Sequence, residues 1–122
     1  MSDIEEIQQV LRRFTEERDW DQFHNPKDLA IAMGVECGEL QECFLWKKSE
    51  DANIEQIKEE LADVLNYAFL LASKMNLDVK QIVLDKVKRN AEKYPKELVM
   101  IMNSKINDKL KLVHNSAKEC SK

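Results

Sequence analysis

Residues 29–44 read LAIAMGVECGELQECF, and residues 54–68 read IEQIKEELADVLNYA. In the first stretch Leu29, Ala32, Met33, Glu36, Leu40, Cys43 and Phe44 recur at helical spacing. In the second, Ile54, Ile57, Glu60, Leu61, Val64 and Ala68 do the same. Each stripe that should bury apolar side chains therefore carries acids: Glu36-x-x-Glu39 in one, Glu60-x-x-Asp63 in the other. An i, i+3 spacing puts both side chains of a pair on one helix face, a turn apart. Carboxylates in a core-facing stripe are costly unless a cation neutralises them. Two such pairs facing each other make a site for a hard divalent metal.

The punctuation around these stretches sets the remaining elements. Ile4, Ile7, Val10 or Leu11, and Phe14 give a first helix over about residues 2–19. DWDQFHNPKD reads as a loop, with Asn25-Pro26 starting a second helix that runs to Lys47 or Lys48. Asn53 followed by Gln56 is an N-cap with a capping-box partner for a third helix, ending near Met75 with Asn76 as a left-handed cap. Asp78 and Gln81 repeat the signal for a fourth helix over 79–93, stopped at Tyr94-Pro95. The stretch ELVMIMNSKINDKLKLV has mixed periodicity, open to a fifth helix or a partner-packing tail. The expected fold is all-α, a four-helix-type bundle, with a domain at 1–95 and a C-terminal tail at 96–122.

Composition agrees. The 122 residues hold only two Gly and two Pro, with 43% hydrophobic and 34% charged residues. A net charge of −4 argues against a general nucleic-acid surface. No apolar run reaches membrane-spanning length and the N-terminus is acidic and amphipathic, so no membrane span or signal peptide is expected. Cys37, Cys43 and Cys120 lack C-x-x-C spacing and read as free thiols in a cytoplasmic protein.

An oxygen-only ligand set of this kind suits Mg²⁺ or Mn²⁺, which joins carboxylates to substrate phosphates. A ferritin-like di-iron site needs Glu-x-x-His pairs. The residues three before His24 and His114 are Asp21 and Lys111, so no such pair exists. The expected chemistry is metal-assisted hydrolysis at phosphorus. Lys86, Arg89 and Lys93, at i, i+3, i+7, offer either a phosphate-binding stripe or an exposed basic face. Trp20, Phe23 and Trp46 are available to stack on a base, or to anchor a core or interface. Tyr67, at i+4 from Asp63, points toward the acids.

Taken together, RFTEERDWDQFHNP (13–26), GELQECFLWK (38–47), EELADVLNY (59–67) and KVKRNAEKYP (86–95) resemble the all-α nucleoside triphosphate pyrophosphohydrolases of the MazG type, most closely the dCTP pyrophosphatase branch. That resemblance spans about residues 5–95. It implies a Mg²⁺-dependent hydrolase acting on phosphoric anhydrides, which cleaves a (deoxy)nucleoside triphosphate such as dCTP to the monophosphate and pyrophosphate. It implies Glu36, Glu39, Glu60 and Asp63 as metal ligands and catalytic acids, with one of the glutamates assisting as base to the attacking water. Lys86 and Asn90 match phosphate- and sugar-contacting positions. Trp20, His24 and Trp46 match the base pocket, and Tyr67 matches a tyrosine beside the deoxyribose. It further implies a homodimer or homotetramer with the site built between subunits, and a house-cleaning role. A dUTP or phosphoribosyl-ATP pyrophosphohydrolase shares the chemistry, and a non-catalytic nucleotide-binding helical module shares the fold.

Overall fold

A computed structural model describes residues 1–120, with side chains as far as residue 115. Five α-helices follow one another: α1 (Asp3–Glu17), α2 (Pro26–Glu42), α3 (Ile54–Lys74), α4 (Val79–Lys93) and α5 (Lys96–Cys120). Short 3₁₀ turns at Asp21–Phe23 and Ser49–Asp51 sit in the first two connections. Among the described residues there is no strand, as an all-α chain requires. The chain divides into two compact units, Met1–Ile82 and Val83–Lys122, and the division falls inside α4.

In the first unit α3 packs along α2 and against α1. The helix ends explain why the connections lie where they do. Ser2 caps α1 through a complete capping box: its hydroxyl accepts from Glu5 N at 3.2 Å while Glu5 accepts from Ser2 N at 3.3 Å. That signal was present in the sequence as S-x-x-E and sets the start at Asp3. α1 ends two residues before the expected position 19, because Asp19 turns left-handed (φ 54°). Trp20 N then donates to Thr15 O at 2.9 Å and Asp19 N to Glu16 O at 3.1 Å, a Schellman closure. α3 ends the same way at Asn76 (φ 55°), with Leu77 N donating to Ala72 O at 2.9 Å, as Asn76 led one to expect.

Asn25 and Pro26 start α2 as anticipated: the Asn25 side chain accepts from Asp28 N at 2.9 Å and Pro26 takes the first helical position. The end of α2 differs. The helix stops at Glu42 and not at Lys47 or Lys48, giving way to tighter turns in which Phe44 N donates to Gln41 O at 3.0 Å and Leu45 N to Glu42 O at 3.1 Å. Trp46 then adopts a positive φ of 63°, costly for a bulky residue. Lys47 and Lys48 therefore lie beyond the helix and do not complement its dipole. Asn53 caps α3 by accepting from Glu55 N and Gln56 N, and Asp78 accepts from Gln81 N at 2.9 Å at the start of α4.

The core is small. Leu29, Cys43 and Ala72 are the buried hydrophobic residues among those described, with Thr15 buried beside them. Thr15 satisfies its hydroxyl locally by donating to Arg12 O at 2.9 Å. Several residues expected to face the core stay exposed, among them Phe44, Ile54 and Leu61.

In the second unit, α5 resolves the ambiguity of residues 96–113 as a continuous helix. Its apolar residues Leu98, Met100, Ile101, Met102, Ile106 and Leu110 are all exposed. Cys120 has no described side chain, so its reading as a free thiol lies outside the described side chains. Cys37 and Cys43 are free. Among the described residues no helix is long and apolar enough to cross a membrane.

Candidate metal centre and adjoining pocket

The i, i+3 acids of α2 and α3 face one another across the packed pair. Glu36, Glu60 and Asp63 each offer a carboxylate oxygen within 4.8 Å of the others. Glu36 and Glu60 are half-buried, whereas Glu39 and Asp63 are exposed, so only two of the four acids intrude on the interior as the stripe suggested.

Electrostatics at this point are unfavourable for the bare protein. Glu36 is raised to about 7, first by a carboxyl hydrogen bond to Glu39, then by desolvation and by the negative charges of Glu39, Asp63 and Glu60. Glu60 is raised as well, mainly by desolvation, then by its hydrogen bond and charge interaction with Glu39 and by Asp63. Oε2 of Glu36 and Oε2 of Glu60 are both buried without a hydrogen-bond partner. Buried acceptors are normally satisfied. Two orphaned carboxylate oxygens converging with a third carboxylate fit a hard dication, which would compensate the charge and supply the missing partner. The residues present therefore suit a divalent metal, with Glu39 alongside Glu36 and Glu60.

A cavity of ≈ 290 Å³ opens from the Glu36–Asp63 edge of this cluster. Its far walls are apolar and aromatic: Leu11 and Phe14 from α1, Trp20 from the loop, and Leu70 from α3. Phe14 and Trp20 pack edge to face, ring centroids 5.6 Å apart. Arg18 lies over the other ring position, 3.8 Å from the Phe14 centroid, and fixes that wall. Thr15, His24, Asn66 and Tyr67 complete the lining. His24 Nδ1 is buried and has no hydrogen-bond partner among the described residues. Lys74 Nζ to Asp21 Oδ1, at 2.7 Å, ties the loop carrying Trp20 and His24 to α3. A mostly apolar hollow with a few convergent polar groups is the usual form of a small-molecule site.

The structure thus brings together Glu36, Asp63, Trp20, His24 and Tyr67 around one cavity, with Glu60 in the acid cluster. Glu39 and Glu60 also border a second, acidic cleft with Glu42, Cys43, Gln56 and Glu59. Trp46 is 95% exposed and lines none of these hollows. Lys86 and Asn90 stand on the exposed part of α4 that belongs to the second unit. Sequence reasoning missed Leu11, Phe14, Leu70 and Asn66 as lining residues. For Asn66 a signal existed, since a mid-helix asparagine in an apolar context has poor helix propensity and asks for a reason.

The fold is all-α, and facing E-x-x-E and E-x-x-D pairs stand beside an aromatic-walled pocket. The chain belongs to the MazG-like family, whose model matches residues 31–108. It is 38% identical over 103 residues to dCTP pyrophosphatase 1 of Bos taurus, covering 78% of this chain and 61% of the relative. The Homo sapiens dCTP pyrophosphatase 1 is 34% identical over 113 residues, covering 86% of this chain and 66% of the relative. The chain therefore spans about three-fifths to two-thirds of the length of these relatives. A solved pyrophosphatase from Archaeoglobus fulgidus superposes with a TM-score of 0.70 at 34% identity, covering 78% of this chain and 94% of that one.

Proposed function

We propose that this protein is a divalent-metal-dependent nucleoside triphosphate pyrophosphohydrolase, acting on a deoxynucleotide such as dCTP and releasing the monophosphate and pyrophosphate. The observation that carries the reading is the convergence of Glu36, Glu60 and Asp63 within 4.8 Å at one edge of an aromatic-walled cavity. A triphosphate needs a cationic anchor and a base needs a stacking wall, and these lie side by side. The printed names of the relatives support the same class.

Glu36, Glu60 and Asp63 would hold Mg²⁺ or Mn²⁺, with Glu39 as the fourth acid of the set. A bound dication of this kind polarises phosphoryl oxygens and lowers the pKa of a coordinated water. One of the glutamates takes a proton from the water that attacks the α-phosphorus, and the α–β bridging bond breaks to release pyrophosphate. Trp20 and His24 receive the base, and the Tyr67 ring beside the sugar disfavours a 2′-hydroxyl. Lys86 and Asn90 supply the phosphate and sugar contacts that the resemblance implies.

The same reading includes a homodimer or homotetramer working in the cytoplasm on the nucleotide pool. Ile31 and Val35 on α2 and Leu98, Ile101 and Ile106 on α5 are exposed apolar residues that a second copy would cover. Trp46, strained and almost wholly exposed, is the residue such an interface would bring to a neighbouring copy's pocket.

Pyrophosphate release measured over a panel of dNTPs, NTPs, dUTP and phosphoribosyl-ATP with Mg²⁺ tests the proposal. Cleavage of at least one deoxynucleotide by wild type, lost in Glu39→Gln, supports it. The same trace rate in both proteins would leave a non-catalytic binding module.

A further inference from the structure

Of the cavity's polar residues outside the acid cluster and the aromatic wall, Thr15 is satisfied by its own helix, which leaves His24 and Asn66. Asn66 sits in the middle of α3, where asparagine is a poor helix former because its amide competes for backbone partners. Here it makes no such compensating bond: among the described residues its side chain has no hydrogen-bond partner. It is half-buried and lines the cavity with Trp20, His24 and Tyr67.

Its angular position on α3 sets it apart from Glu60 and Tyr67. A helix turns about 100° per residue, so Asn66, Leu70 and Ser73, at i, i+4 and i+7, share one stripe. That stripe faces α1, since Leu70 and Ser73 border a groove with Arg12 and Thr15 of α1. Glu60 and Tyr67 lie about 100° or more further round the helix, with Asp63 between them and Asn66. Asn66 therefore stands one turn beyond Asp63, on the side of the cavity that faces α1 with Leu11 and Phe14.

We propose that Asn66 is a specificity-determining residue which reads the hydrogen-bonding edge of the nucleobase. A carboxamide offers a donor and an acceptor side by side. A pyrimidine or purine edge with adjacent amino or keto and ring-nitrogen groups matches that pair. The aromatic wall accepts any base by its face, so discrimination has to come from polar groups at the edge. The unpartnered Asn66 amide and the buried, unpartnered His24 Nδ1 are the groups available for it. A site whose polar groups await a ligand's polar groups rejects an analogue that lacks them.

The inference rests on the triphosphate-cleaving reading, and one experiment separates the two. Wild type and Asn66→Leu are assayed for pyrophosphate release with the preferred dNTP and with its analogue lacking the exocyclic amino or keto group of the base. In wild type the analogue loses about tenfold or more in kcat/KM, the worth of one or two such hydrogen bonds. In Asn66→Leu that ratio falls to near one, while the variant's thermal melt shows a folded protein. Leucine keeps the branched side-chain shape and favours the helix, and the half-buried site opens on the cavity that receives its extra volume. An unchanged ratio in the variant, or an equal loss on both substrates, overturns the role of Asn66 and leaves the enzyme reading standing. A wild type that cleaves no triphosphate overturns both.

Discussion

Glu36 on α2 and Glu60 on α3 each bury one carboxylate oxygen without a hydrogen-bond partner, and their carboxylates meet Asp63 within 4.8 Å. Two acids from different helices are thus held together at the expense of the bare fold. The arrangement makes stability depend on both pH and metal.

The sign follows from the direction of the shifts. Glu36 is raised from 4.5 to about 7, and Glu60 is raised too, so the folded state binds protons more tightly than the unfolded chain. Metal-free protein is therefore most stable below pH 4.5 as far as these groups are concerned, and loses that contribution as the pH rises toward 7. Thermal melts in EDTA across this window should show the decline. Saturating Mg²⁺ or Mn²⁺ at pH 7.5 should raise the melting temperature by roughly 10 °C, the scale expected at a hundredfold excess over Kd. Glu36→Gln should flatten the metal-free pH dependence and remove most of the metal-induced rise.

Removing one acid should damage turnover far more than folding. Glu60→Gln or Asp63→Asn withdraws a charge from a cluster that is already repulsive, so the metal-free melt should hold or rise. Pyrophosphate release should fall by at least roughly 100-fold, because metal-derived stabilisation of transition-state charge amounts to several kcal/mol. Steady-state kinetics beside a melt in EDTA would distinguish this from simple unfolding, which lowers both.

Trp20→Ala should separate binding from chemistry. Base–aromatic stacking is worth about 1–3 kcal/mol per base, so KM should rise roughly tenfold with kcat nearly unchanged. Loss of the edge-to-face contact with Phe14, 5.6 Å between centroids, should lower stability by about 1 kcal/mol. A fall in kcat at constant KM would place Trp20 outside the base site.

Gly34 and Gly38 test the assembly. In the single chain a Cβ at either position meets nothing within 4 Å, and helical glycine is worse than alanine by about 1 kcal/mol. Gly34→Leu should therefore be harmless or stabilising in an isolated chain. In the proposed oligomer, Ile31 and Val35 on the same open side of α2 are exposed for a neighbour to cover, and the leucine should drive dissociation. Light scattering after size exclusion reads the outcome, and an unchanged mass would free this face from the interface.

Much of the molecule was legible from local chemistry. Asn25-Pro26, Asn53, Asn76 and Asp78 marked helix ends because caps act within a few residues. The two acid pairs were legible because i, i+3 spacing fixes a shared face. The end of α2 was not, because Phe44 and Leu45 continue the apolar pattern while the chain already turns at Cys43. Phe14, Leu70 and Asn66 escaped as pocket residues because each reads as an ordinary helical position until α1, α3 and the Trp20 loop are set side by side.

The sequence by itself determined an all-α chain and four acids in two pairs, each on one face of its helix, since helix periodicity and capping are short-range effects. Only the tertiary structure decided which acids lose their hydration, because desolvation depends on what packs above a side chain. Glu36 and Glu60 are half-buried while Glu39 and Asp63 stay exposed. It also decided that Trp20, His24 and Asn66 share a cavity with Asp63, while Trp46 stands outside it. Such neighbours are distant along the chain, and only the packing of α1, α2 and α3 brings them within reach.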